Sequence, residues 1–158
     1  MLETVIIILS VIIDQIIKHI ASIRLLSPYD IIPGVIRLHY VKNTGMAFGL
    51  LKDQTAFLAA VSVIMTGVMV YALIKYSKEC GKLFSVSLSM IAGGAAGNAI
   101  DRIIRGFVID FIDPVFVDFA VFNAADSFIT IGSILFIIYL IFYDKTIFRN
   151  SGNDIKSS

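Results

Sequence analysis

Four long apolar stretches, at residues 5–23, 56–74, 83–100 and 127–143, divide this chain. Each is about as long as a helix needs to be to cross ~30 Å of hydrocarbon. The last three carry no charged residue, whereas Asp14, Gln15, Lys18 and His19 interrupt the first. Only 16% of the 158 residues are charged and 58% are hydrophobic, with a mean hydropathy of +0.89. A small water-soluble core could not cover that much apolar surface, so lipid must cover it. The pattern predicts a single integral membrane domain over residues 1–158. Its fold class is a membrane all-α bundle of four transmembrane helices, with outer loops at 24–55 and 101–126.

The first stretch has neither a basic leader nor a small-residue cleavage site, and it is expected to remain as a span. Four spans place both termini on one side. Lys75, Lys78, Lys82, Lys145, Arg149 and Lys156 fall on that side, and Arg24, Arg37, Lys42, Lys52, Arg102 and Arg105 on the other. The raw count ties, but the first set is packed close to the span ends, which puts the termini in the cytoplasm. Gly93 and Gly97, four positions apart in the third stretch, let its backbone approach another helix closely. In the outer loops, 35–41 alternates as a strand before the turn residues Asn43-Thr44-Gly45, and 107–112 and 115–121 read as two more strands around Asp113-Pro114. A small extracytoplasmic β-sheet is therefore expected outside the bundle.

The inventory excludes several chemistries. A net charge of +1 provides no field for nucleic acid. Cys80, the single cysteine, lies in a polar turn with Lys78, Glu79, Gly81 and Lys82, and admits no internal disulfide or thiolate cluster. His19 and His39 are the only histidines and form no zinc-peptidase motif. No Gly-x-Ser-x-Gly occurs, although a Ser127–Lys18 dyad and an oxygen-ligand metal site remain open at this point.

The positive signal is acidic. Of twelve acidic residues, Asp101, Asp110, Asp113, Asp118 and Asp126 gather where two spans meet one outer loop. Two carboxylates about 4 Å apart at an effective dielectric near 20 repel by roughly 4 kcal/mol, or about three pK units. One of such a pair keeps its proton near neutral pH, giving a base to activate water and an acid to protonate a leaving amine. Simpler readings stand beside this one. Asn123 with Asp126 three positions on is ordinary helix-cap chemistry, and Asp101 with Arg102 reads as an ion pair closing the third span. Asp113 before Pro114 suits a turn, Asp118 the wet side of a strand, and Asp14 with Lys18 a mutual neutralisation.

Three blocks make a resemblance specific: Gly97-Asn98-Ala99-Ile100-Asp101-Arg102, Gly106-Phe107-Val108-Ile109-Asp110-Phe111 and Phe122-Asn123-Ala124-Ala125-Asp126-Ser127. With Asp14-Gln15, Lys18 and Asn43-Thr44-Gly45-Met46-Ala47-Phe48 upstream, the chain resembles the lipoprotein signal peptidases, the bacterial type II signal peptidases, over nearly its whole length. Met46 stands where that pattern leads one to expect a smaller residue. The resemblance implies an aspartic endopeptidase with Asp110 and Asp126 as its catalytic pair. It implies Asn98, Asp101, Arg102 and Asn123 in a supporting shell, Asp14, Lys18 and Asn43 lining the same pocket, and Gly45 and Ala125 as further contacts. It also implies no metal or cofactor, and a monomer in the bacterial cytoplasmic membrane with its active site near the outer face. Substrates would be preproteins cut just before a diacylglyceryl-modified cysteine, and the remaining partners membrane lipids.

Overall fold

The computed structural model describes residues 1–143. The polar tail at 150–158, together with Lys145, Arg149 and Lys156 of the charge count, lies outside the described residues. The chain runs α1 (Leu2–Arg24), β1 (Tyr29–Ile32), β2 (Ile36–Asn43), a short 3-10 turn (Ala47–Gly49), α2 (Thr55–Arg105), β3 (Val108–Asp113) and α3 (Ala124–Phe142). All three α-helices are long and apolar enough to cross a membrane.

An unbroken α2 of 51 residues would be roughly 77 Å long, far more than a bilayer needs. It is not unbroken. Gly81 adopts φ 83°, ψ −176°, a conformation that glycine tolerates and other residues resist. Leu58 in the first arm and Arg102 in the second line one cavity, so the arms lie side by side. Leu73, Phe84, Leu88 and Tyr139 pack together near the turn. The polar turn expected around Cys80 is where the helix doubles back.

The bundle is inside out relative to a protein made for water. The buried stripe of α1 is Ser10, Asp14, Lys18 and Ala21, spaced by one helical turn. Its exposed residues include Val5, Ile8, Leu9, Ile12, Ile16 and Ile20. The largest wholly buried side chains are Lys18, Asn123, Asp14 and Asp101. Such a distribution is stable only where lipid faces the apolar surface and buried charges are partnered.

Small residues allow the helices to close around this polar core. A Cβ at Gly93 would stand 2.6 Å from Ser10 Cβ, and one at Gly97 2.5 Å from Asp14 Oδ2. The close approach expected of this pair is to α1. Gly94 and Gly132 do the same between α2 and α3, with Ala125 O and Ser87 O at 2.5 and 2.8 Å from the built Cβ positions.

The sheet is antiparallel in the order β1-β2-β3, with Val41 opposite Asp110 and Asn43 opposite Val108. Ala21, Ile109 and Phe111 form a core that fastens it to the end of α1, helped by Leu38 and Tyr40. Four expectations need correcting. Residues 115–121 are not a strand: Val117 N–H turns back to Pro114 O at 3.3 Å, and only Phe122 bridges Ile112. Pro114 has no N–H with which to continue a ladder. The third partner is instead β1, a short edge strand whose residues are all exposed, so it lacks the alternation that reveals a half-buried strand. Asn43 ends β2 rather than beginning the turn, and α2 runs on to Arg105, so Asp101 and Arg102 belong to a helix.

Gly97→Ala forces a methyl group against Asp14 and is expected to cost about 1–3 kcal/mol. Gly67→Ala, with nothing within 4 Å of the added Cβ, is expected to be neutral or stabilising. Thermal unfolding in detergent should rank the two in that order.

Candidate active site

The site forms where the end of α2, the start of α3 and the β2–β3 ladder meet. Asn123 caps α3 reciprocally: its Oδ1 accepts from Asp126 N at 3.0 Å, and its own N–H donates to Asp126 Oδ2 at 3.2 Å. The cap reading of Asp126 is thus correct, and it fixes where that carboxyl points. The Asn123 side-chain amide faces the other way, with Nδ2 donating to Asp110 Oδ1 at 2.6 Å. One asparagine therefore holds both carboxyls.

Two further amides complete their hydrogen bonding. Asn43 Nδ2, from the end of β2, donates to Asp110 Oδ2 at 2.8 Å, and Asn98 Nδ2, from α2, donates to Asp126 Oδ1 at 2.8 Å. Asp110 is only 2% exposed. Burial pushes its carboxyl up to about 6; the negative charge of Asp126 adds to this, while the amides of Asn43 and Asn123 pull against it.

Asp110 and Asp126 both face a cavity of about 620 Å³ between the two arms of α2 and the start of α3. Asn43, Asn98 and Arg102 also line it, and its remaining wall is largely apolar, including Leu58, Val61, Met65, Ile91 and Ile129. A second cavity of about 490 Å³, against Thr44, Lys52 and Asp118, reaches Asp110 from the sheet side. Met46 and Phe119 line both cavities. Phe119 meets Phe48 edge to face at 5.9 Å, joining the loop after β2 to the loop after β3. Phe48 has a φ of 59°, a left-handed conformation costly for such a residue.

Behind the cavity wall lies a charge cluster. Lys18 Nζ reaches Asp14 Oδ2 at 2.9 Å, Asp101 Oδ2 at 3.1 Å and Asn98 Oδ1 at 2.9 Å. Asp14 Oδ1 accepts from Ala125 N at 2.8 Å, and Asp101 Oδ2 from Ile109 N at 3.1 Å. Asp14 and Lys18 therefore do not line the pocket as expected; both are 0% exposed. Nor does Asp101 pair with Arg102. Adjacent residues diverge around a helix, whereas Arg105, one turn on, lies over Asp101 and bonds to it. Arg102 Nη2 instead donates to Gly45 O at 3.0 Å, tying the loop after β2 to α2. Gly45 N–H donates to Asn43 Oδ1 at 2.9 Å, and a Cβ at Gly45 would meet Leu50 O at 2.6 Å.

Gln15 and Arg105 also belong to this cluster, although neither was expected among the site residues. Gln15 Nε2 donates to Asp101 Oδ1 and Gly97 O at 3.1 and 3.2 Å, and its Oε1 accepts from Arg105 at 3.1 Å. The signals were an amide inside an apolar run and an arginine four residues after an aspartate. The Ser127–Lys18 alternative fails, because Ser127 Oγ donates to Asn123 O at 3.1 Å while Lys18 has three other acceptors. Asp113 ends β3 and Asp118 is exposed; neither contacts the pair. Among the described residues no group of three or more His, Cys, Asp or Glu is placed to hold a metal ion.

A sequence profile of the family described as Signal peptidase (SPase) II matches residues 6–142. The chain belongs to the signal peptidase II family. Relatives include the lipoprotein signal peptidase of Caldanaerobacter subterraneus subsp. tengcongensis, 42% identical over 134 residues, spanning 84% of this chain and 90% of the relative. The lipoprotein signal peptidase of Shouchella clausii is also 42% identical, over 81% of this chain and 85% of its own. Among solved structures, a bacterial membrane enzyme determined by the in meso method at 2.3 Å superposes with a TM-score of 0.79 at 35% identity, covering 88% of this chain and 87% of that one. A second, at 1.9 Å, gives a TM-score of 0.78 at 34% identity, covering 90% and 94%. As a signal peptidase II the chain is a membrane-spanning hydrolase of the aspartic peptidase type.

Asp101→Ala removes an acceptor shared by Lys18, Gln15, Arg105 and Ile109 N, leaving buried charge uncompensated. It is expected to destabilise the protein by about 3–5 kcal/mol. Asp118→Ala, at an exposed position, is expected to leave Tm within a degree or two, as read from thermal unfolding in one detergent.

Proposed function

We propose that the chain removes signal peptides from lipid-modified preproteins by a water molecule activated between Asp110 and Asp126. The observation that carries this reading is that both carboxyls face one cavity while sharing Asn123 as their holder. Membership of the family, with relatives named lipoprotein signal peptidase, supplies the substrate class.

Asp110, pushed up to about 6 chiefly by burial, is the member that holds the shared proton. Asp126 takes a proton from the attacking water, while Asp110 polarises the scissile carbonyl and then protonates the leaving amine. The cut falls before a cysteine carrying diacylglycerol. The apolar cavity between the α2 arms and α3 suits membrane-embedded substrate, and the neighbouring cavity beside the sheet suits the extended chain beyond the cut. Arg102, through Gly45, holds the loop that roofs the site.

The break at Gly81 supports a single domain of four spans with both termini on one side; the basic residues packed close to the span ends assign that side to the cytoplasm, and the sheet and site to the outer face of the bacterial membrane. Both acids and their supports come from one chain, so the site needs no residue from a second copy, which is compatible with a monomer.

Purified protein in liposomes with a diacylglyceryl-modified preprotein tests the reading. Asp110→Asn and Asp126→Asn should each lower kcat by at least about 10³-fold, and a chelator should leave the wild-type rate unchanged. Full cleavage by both variants would end the dyad reading, and unmodified preprotein cut equally well would end the lipid-recognition claim. In the free enzyme kcat/KM should fall as pH rises through about 6, where Asp110 loses the proton. Asn43→Ala deletes a donor that favours the ionised form, so this limb should move to higher pH by on the order of one unit.

A further inference from the structure

Lys18 contributes nothing to the cavity surface, yet it is one of the most thoroughly buried cations a helix can carry. It is 0% exposed. Neutralising Asp14 and Asp101 accounts for two of its contacts. The third, 2.9 Å to Asn98 Oδ1, is to an uncharged group and adds nothing to charge balance.

That third contact has a directional consequence. An ammonium only donates, so the atom of Asn98 that faces Lys18 must be the amide oxygen. The amide nitrogen is thereby turned toward Asp126, to which it donates at 2.8 Å. Asn123 Nδ2 asks for the same orientation from a longer distance, 3.3 Å. On the other side of Lys18, Asp14 accepts from Ala125 N and so holds the backbone of the first turn of α3, next to Asp126. One turn of α1 thus grips Asp126 from its side chain and from its helix, without touching the cavity.

We propose that Lys18 is a positioning residue for the reaction: its buried ammonium anchors the Asn98 amide that aims and steadies the Asp126 carboxylate. This rests on the reading of Asp110 and Asp126 as the reacting pair. Lys18 is then needed for turnover beyond its contribution to charge balance, and losing it affects kcat far more than KM.

The test separates these roles by keeping the cluster neutral. Asp14→Asn removes one negative charge while retaining an oxygen for Ala125 N, so it can be combined with Lys18→Met or Lys18→Gln without unbalancing Asp101 and Arg105. Each double variant is assayed in liposomes on a diacylglyceryl-modified preprotein, with Tm measured alongside. The double variant with Lys18→Met is expected to lose on the order of 10²-fold in kcat with KM within about twofold. The double variant with Lys18→Gln, which can still donate an amide hydrogen to Asn98, should recover roughly tenfold of that loss. Equal kcat for the methionine and glutamine variants, or wild-type kcat in the methionine variant, would overturn the proposal. If the methionine variant does not fold, the glutamine variant decides. Its kcat should lie within about tenfold of wild type, and a loss as complete as that of Asp126→Asn would overturn the proposal. Asp110→Asn and Asp126→Asn run in parallel: activity in those variants would refute the dyad reading, while their inactivity beside a fully active methionine variant would refute only the role of Lys18.

Discussion

A lysine ammonium enclosed between two carboxylates inside an apolar bundle is the interaction on which the rest of this structure depends. Removing such groups from water is costly, and only close, complete pairing offsets it. Lys18 has an acceptor in each of three directions, and Asp14 and Asp101 have further donors in Ala125 N, Ile109 N, Gln15 and Arg105. These partners come from α1, α2, β3 and α3. Satisfying one buried cluster therefore fixes the mutual placement of the elements that carry Asp110 and Asp126.

The helix surfaces follow from the same constraint. For Lys18 to reach Asp101 and Asn98, α1 must approach α2 almost to backbone contact, and Gly93 and Gly97 permit this. With polar groups turned inward, isoleucine, leucine and valine are left to face outward, which only lipid makes stable. The site then sits at one end of this core, while its roof is built from loops. Phe48, Leu51 and Asp53 in the loop after β2 all have positive φ. A floor held by buried ion pairs thus meets a roof of strained backbone at one cavity.

Much of this was legible in the residues. Apolar runs located the helices, the glycine pair located a close contact, and the acids clustered between Asp101 and Asp126 pointed to the candidate site. What the sequence hid was pairing across the fold. Asp101 stands beside Arg102 in the chain, but helical geometry gives it Arg105, and α1 gives it Lys18. The resemblance makes Asp14 and Lys18 pocket residues, yet they stand behind the wall and pair with one another, as their spacing of one helical turn suggests. Strand β1 has no alternation to detect because it lies exposed at a sheet edge, and 115–121 has the composition of a strand but follows a proline that cannot continue the ladder. Gln15 could be seen as an amide inside an apolar run, but not its role, because the partners Asp101 and Arg105 lie some ninety positions away.

Asp110 and Asp126 line one cavity, and the charge of Asp126 adds to the upward push that burial gives the Asp110 carboxyl. Carbon-13 labelling of the aspartate carboxyls, followed by NMR titration in a lipid nanodisc, measures this without turnover. The Asp110 carboxyl should titrate near 6 in the wild-type protein. In Asp126→Asn it should titrate lower, because the opposing charge is gone, yet stay above the ordinary 3.8 because burial remains. An Asp110 midpoint that is the same in both proteins would mean that the two acids are not coupled and do not form a working pair.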